Sequence, residues 1–184
     1  MKEEAKNEAQ EPCTKIVFFG DSITESGRNH MDGADLGVGY VKIAAGKLRL
    51  LYPDTKFCFV NRGNGGERTA DLLQRVEKDV VAEHPDYVVL ETGINDVWCR
   101  FSRGEEVTPE AFRANYEALV DAISKTGAKL FLIQPYALKM GDKQRFRPFL
   151  NRFNEIIRDI AKERGLTLIP VDEIFTGVTQ DIDP

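Results

Sequence analysis

Lys15-Ile16-Val17-Phe18-Phe19-Gly20-Asp21-Ser22 decides how the rest of the chain is read. Four apolar residues in a row, β-branched and aromatic, suit a strand covered on both faces. Gly20 ends the run and Ser22 follows at its tip. A serine there is held by a rigid element, with its hydroxyl aimed beyond the edge of a sheet. A fold presents a nucleophile in that way.

Working outward, four more short apolar runs follow at 56–60, 87–91, 129–133 and 167–171. Between them, 40–52, 68–83, 109–125 and 147–164 carry helical spacing. In the second of these, Leu72, Leu73, Val76, Val80 and Val81 fall on one stripe, while Arg75, Glu77, Lys78 and Asp79 face water. Thr108-Pro109-Glu110 has the form of an N-cap followed by proline at the first helical position. Gly127 and Gly165 suit helix C-termini. Strands alternating with helices predict an α/β fold, with a five-stranded parallel sheet between two helical layers. In such sheets the functional crevice lies beyond the carboxyl ends of the strands. No linker, repeat or low-complexity stretch interrupts residues 14–184.

The 184 residues suit one domain, which would bury roughly two thirds of its unfolded surface. Residues 1–14 read as a frayed polar tail and 15–184 as the domain. A net charge of −5 argues against a nucleic-acid surface. No apolar run is long enough to span a membrane. The first eleven residues lack the apolar core of a signal peptide, so a cytoplasmic location is expected. Cys13, Cys58 and Cys99 are odd in number and have no metal-ligand spacing, so they read as reduced thiols. No cofactor or metal is implied.

Three segments should open onto one edge of the sheet: Gly20-Asp21-Ser22, Asn61-Arg62-Gly63-Asn64-Gly65-Gly66 and Gly93-Ile94-Asn95-Asp96. They supply a hydroxyl, a glycine-rich turn with exposed N–H groups and a carboxamide donor. Acyl transfer needs that set: a nucleophile, and preorganised donors around the developing oxyanion. Asp21 is expected to shape the serine turn through hydrogen bonds. Trp98 and Phe101 could line an acyl or sugar pocket. Arg100, Arg103, Arg145 and Arg147 read as solvated surface.

These segments resemble the first three sequence blocks of the SGNH hydrolases, also called GDSL-type esterases and lipases. Gly20-Asp21-Ser22-Ile23-Thr24 matches the nucleophile block. Asn61-Arg62-Gly63 with Gly66-Glu67 resembles the glycine block, and Gly93-Ile94-Asn95-Asp96 matches the asparagine block. The resemblance implies a three-layer flavodoxin-like fold and a carboxylic ester hydrolase. Its catalytic residues would be Ser22, as nucleophile, with Gly66 and Asn95 as oxyanion donors beside the Ser22 N–H; Asp21, Gly93 and Asp96 would support them. The substrate would be a small or carbohydrate ester carrying a short acyl group, acetyl foremost.

The family's fourth block, Asp-x-x-His, has no match here. Asp181 is followed three residues later by Pro184, and the C-terminal part of the fold is expected to be missing. His30 lies in the loop after the first strand, and His84 is expected at the opposite edge of the sheet. Without its histidine the chain alone is expected to be nearly inactive. Two other readings fit the same fold: a non-catalytic module that binds carbohydrate or carboxylate, and a receiver-like domain. The second lacks an acceptor aspartate at the tip of the third strand. The α/β-hydrolase elbow and the P-loop are both absent.

Overall fold

Five apolar runs without polar alternation need cover on both faces, and the chain supplies it by returning through a helix after each strand. The computed structural model describes residues 12–137 and 141–180, the side chains of 141–143 and 178–180 excepted. Strands β1 (Thr14–Gly20), β2 (Phe57–Gly63), β3 (Tyr87–Glu91), β4 (Lys129–Ile133) and β5 (Thr167–Ile169) form one parallel sheet in the order β2-β1-β3-β4-β5. The helices are α1 (Ser22–Glu25), α2 (Tyr40–Leu51), α3 (Thr69–Asp79), α4 (Ile94–Ser102), α5 (Pro109–Ser124), α6 (Arg147–Arg164) and α7 (Val171–Gln180). Short 3₁₀ turns cover Val81–Glu83 and Gly141–Phe146.

The alternation along β1 divides the core in two. Val17 and Phe19 join the larger cluster, which α3, α5 and α6 complete. On α5, Phe112, Tyr116, Leu119, Val120 and Ile123 make the buried stripe. Ile16 and Phe18 point the other way and pack with Phe59 of β2 and with Val41 and Ala45 of α2. Thr108 caps α5 by accepting from the Ala111 N–H at 3.2 Å, and Pro109 opens the helix. Gly165 closes α6 at φ +62°, a left-handed conformation that glycine adopts without strain. Gly127 lies in the turn beyond α5, which ends on Lys125.

The three-layer parallel α/β expectation is met, with four corrections. Residues 170–171 are not strand: Pro170 has no N–H to offer the ladder, and Val171 begins α7. Asn61 and Gly63 lie inside β2 rather than after it. The asparagine block, expected only as a motif after a strand, forms the first turn of helix α4. Finally, Cys13 and Cys58 are not free thiols but a disulfide with Cα atoms 5.8 Å apart. Parallel pairing of Lys15 with Cys58 and Thr14 with Phe57 brings Cys13 alongside, a proximity that a separation of 45 residues conceals. Cys99 is the unpaired one.

The strand order matters for function. From β1 the chain goes to β2 at one edge and then crosses to β3 on the other side of β1. A crevice opens between the carboxyl ends of β1 and β3 at such a reversal. Residues 21–25 and 93–96 leave the sheet there.

Candidate active site

Asp21 is the N-cap of α1. Its Oδ1 accepts from the Ile23 N–H at 3.0 Å, which holds the turn so that Ser22 stands exposed at its head. Two close approaches hold α1 down. A Cβ on Gly20 would fall 2.4 Å from the Thr24 hydroxyl oxygen, and one on Gly63 would fall 2.1 Å from the Glu25 nitrogen. Only glycine lets β1 and β2 meet the turn so closely. Asn61 clamps the same turn from β2: its Nδ2 donates to the carbonyls of Thr24 (2.8 Å) and Leu36 (3.0 Å), and its Oδ1 accepts from the Gly63 N–H.

Gly66 lies in the turn after β2 at φ +78°, and a Cβ there would meet nothing within 4 Å. Glycine is required here by the backbone conformation, not by crowding. Asn95 lies in the first turn of α4 and donates one amide hydrogen to the Glu67 carbonyl at 2.9 Å. That bond aims the carboxamide and leaves its second hydrogen free. Beneath it Asp96 is buried and accepts from the Thr69 N–H at 3.0 Å and the Thr69 hydroxyl at 2.6 Å. The pair joins α4 to α3. Burial pushes the Asp96 carboxyl up to about 6, against the pull of these hydrogen bonds.

Ser22 and Asn95 line two adjoining pockets that share Trp98 as their wall. One, of about 400 Å³, is otherwise apolar: Ile23, Ile94, Ala137 and Phe146, with Tyr136 at its side. The other, of about 410 Å³, adds Gly66, Arg68, Ser102 and Arg103. Ser22, Gly66 and Asn95, predicted from three separate segments, therefore face one cavity. Trp98 is 45% exposed and packs edge-on to Phe146. Phe101 instead packs on Phe146 and Phe149 outside the pockets.

Arg103 and Arg145 are exposed, as expected, while the half-buried Arg100 and Arg147 correct the solvated-surface expectation. Arg147 bonds Asp172 at 2.6 Å and so ties α6 to α7. Arg145 lies over the Phe101 and Phe146 rings, and Arg100 lies over Phe149 and pairs with Glu106. Arg103 belongs to the cavity beside Ser22. Neither histidine lines either pocket. His30 pairs through Nε2 with Glu25 Oε1, and His84 stands in a left-handed turn before β3, at the amino ends of the strands. Asp181 and Asp183 lie outside the described residues. The Cys99 thiol is buried and donates to the Asp96 and Glu105 carbonyls. Among the described residues no three His, Cys, Asp or Glu side chains stand close enough to hold a metal ion. No described helix is long and apolar enough to cross a membrane.

The sequence reading missed Asn61 as a clamp, Glu91, and the residues after β4 that wall the apolar pocket. For Glu91 a signal existed: one acid closing the apolar run Tyr87-Val88-Val89-Leu90. For Tyr136, Ala137 and Phe146 there was none, since no local pattern marks residues brought in by a neighbouring strand.

Comparison with known proteins identifies the family of the chain. The family model for GDSL-like lipases and acylhydrolases matches residues 18–183. An acetylxylan esterase from Geobacillus stearothermophilus is 30% identical over 178 residues, covering 92% of this chain and 81% of its own. An uncharacterized lipoprotein of Bacillus subtilis, YqeF, is 28% identical, over 84% of this chain and 69% of its own. Among solved structures, an enzyme described as an alpha/beta hydrolase from the Lake Arreo metagenome superposes with a TM-score of 0.84 at 31% identity, covering 91% of this chain and 81% of that one. A catalytic mutant of the Geobacillus esterase, with a histidine replaced by alanine, gives 0.85 at 30% identity over 93% and 82%. Other catalytic mutants of that esterase replace a serine or an aspartate.

Proposed function

The chain belongs to the GDSL-like lipase/acylhydrolase family and is a carboxylic ester hydrolase; from that premise we propose that Ser22 is its nucleophile and that it removes a short acyl group, acetyl foremost, from a carbohydrate ester. The observation that carries this reading is the single cavity shared by Ser22, Gly66 and Asn95. The Ser22 oxygen attacks the ester carbonyl, and the N–H groups of Ser22 and Gly66 with the Asn95 carboxamide receive the oxyanion. Donors of this kind contribute about 2.7–4 kcal/mol each to the transition state. Collapse of the tetrahedral intermediate expels the sugar hydroxyl, and water then releases the acid from Ser22.

The two pockets suggest how the substrate lies. The apolar one, walled by Ile23, Ile94 and Phe146, suits an acyl group. The polar one, with Arg68, Ser102 and Arg103, suits the hydroxyl-rich alcohol, and the exposed face of Trp98 suits a sugar ring. That the Geobacillus relative is an acetylxylan esterase supports the same class. The Cys13–Cys58 disulfide favours an oxidising compartment over the expected cytoplasm.

Proton removal from Ser22 is the step for which the described residues offer no base. Loss of a triad histidine costs about 10⁶ in kcat, leaving about 10³–10⁴ over water from the oxyanion hole and binding. The 184-residue chain is therefore expected to release acetate from acetylated xylo-oligosaccharide slowly, and faster when imidazole is added as a diffusible base. Ser22→Ala is expected to remove the imidazole-dependent part. An equal rate from that variant overturns the assignment, and binding without turnover in either favours the carbohydrate-binding module.

A further inference from the structure

Beneath the Ser22 turn lies a buried acidic pair that the proposed chemistry does not use. Gly20 of β1 pairs with Glu91 of β3, and the Asp21 and Glu91 carboxyls interact where the two strands end. Both side chains are almost wholly shielded from solvent, Asp21 at 0% and Glu91 at 1% exposure. Each has one oxygen engaged by the turn: Asp21 Oδ1 by the Ile23 N–H, and Glu91 Oε2 by the Thr24 hydroxyl at 3.3 Å. That hydroxyl is in turn 3.0 Å from the Tyr40 hydroxyl. The second oxygens, Asp21 Oδ2 and Glu91 Oε1, are buried and receive no N–H or hydroxyl donor.

Among the described residues no unengaged cation faces the pair. The groups that face the pair are Glu67 from the β2–α3 connection, Asp96 from α4, and the phenols Tyr40, Tyr116 and Tyr136 from α2, α5 and the segment after β4. Arg75 of α3 comes near, but its guanidinium is taken by Glu67 (2.6 Å), Asp79 (2.8 Å) and the carbonyls of Gly20 and Arg62. Two ionised carboxylates held together without a cation repel strongly, and such pairs resolve the conflict by keeping one proton between them.

We propose that Glu91 stays protonated and donates a hydrogen bond to Asp21, and that this carboxyl pair positions the Ser22 turn against the end of β3. The proposal rests on the reading of Ser22 as nucleophile only for its catalytic consequence. Glu91 is then a positioning residue acting through Asp21, whose other oxygen holds the Ile23 N–H. The protonation pattern agrees. Burial, then the neighbouring Asp21, holds the Glu91 carboxyl well above its usual value. Burial also lifts Asp21, to about 6, although the Ile23 and Glu91 hydrogen bonds pull it down.

The sign of the pH effect follows. Both folded values lie above the unfolded ones, so the folded state holds extra protons. The stability linked to them is complete below pH ~4 and is lost as pH rises through about 6 for Asp21 and through the raised range of Glu91. Gln at position 91 keeps a hydrogen donor for Asp21 but has no proton to lose; Leu keeps the volume and loses the donor.

The test combines carboxyl-carbon NMR titration of the whole chain, hydrogen exchange at the Ile23 amide, and kcat against pH with imidazole present. The Glu91 carbon is expected to keep its protonated shift through neutral pH while Asp21 titrates near 6. Glu91→Gln is expected to flatten the fall of Tm with rising pH. Glu91→Leu should speed Ile23 exchange and lower kcat about ten- to a hundredfold with little change in KM, and Glu91→Gln should recover most of that loss. A Glu91 carbon that titrates near 4.5, its ordinary value, overturns the proposal. So does an Ile23 amide that exchanges alike in the wild-type and Leu chains; if the Leu variant fails to fold, the wild-type titration decides. A chain inactive in every form counts against the nucleophile reading, while the titration and the exchange rate still judge the pair.

Discussion

Asn95 shows how one side chain is prepared before any substrate arrives. Its carboxamide could rotate freely at a helix N-terminus, but the bond to the Glu67 carbonyl fixes it and leaves one hydrogen for the oxyanion of the proposed reaction. A donor already oriented needs no reorganisation as charge develops. Asn95→Ala is therefore expected to lower kcat on an acetyl ester by about 10²–10³, with KM little changed. Steady-state kinetics with imidazole present reads this directly, and a loss confined to KM argues for a role in binding instead. The three segments that hold Ser22, Gly66 and Asn95 were legible because each follows an apolar run, whereas Gly66 itself was singled out by the family resemblance. Asn61 was not legible as a clamp, and Glu91 showed only as an acid closing an apolar run, with nothing to say what it meets. Their importance comes from what they touch, the Thr24 and Leu36 carbonyls for Asn61 and Asp21 for Glu91, and no local pattern announces a contact across strands.

At the scale of elements, the site depends on how closely α1 lies on β2. The approach at Gly63 is backbone to backbone, so nothing there can swing aside. Gly63→Ala is expected to cost about 1–3 kcal/mol in stability. Urea denaturation of the variant measures it, and a change near zero would show that α1 can lift without loss. The elements themselves were largely readable. β3, β4 and α6 run as the periodicity predicts, because long apolar runs and an uninterrupted helical stripe leave little choice. The short α1 and the first turn of α4 escaped, since four residues are too few for a period to show. β5 was read two residues too long because apolar character continues through Pro170 into α7, whereas hydrogen bonding does not.

Across the whole molecule, the Cys13–Cys58 bond links the first strand to the edge strand of the sheet and closes a loop with a sequence separation of 45. A bond of that span restricts the unfolded chain and typically contributes about 2–4 kcal/mol. Reduction, or Cys58→Ser, is expected to lower Tm by the corresponding amount, as scanning calorimetry with and without reductant can measure. An unchanged Tm under full reduction would mean that strand pairing alone holds β1 to β2. The amino-acid sequence by itself determined the class of fold, the alternation of strands and helices and the three segments offered to the crevice. Those follow from hydrophobic period and turn chemistry, which act over a few neighbours. The tertiary structure alone decided that the three share one cavity, that two distant cysteines meet, and that Asp21 and Glu91 are buried together. Each of those depends on strand order and register, which pair residues far apart in the chain and leave no trace in its local pattern.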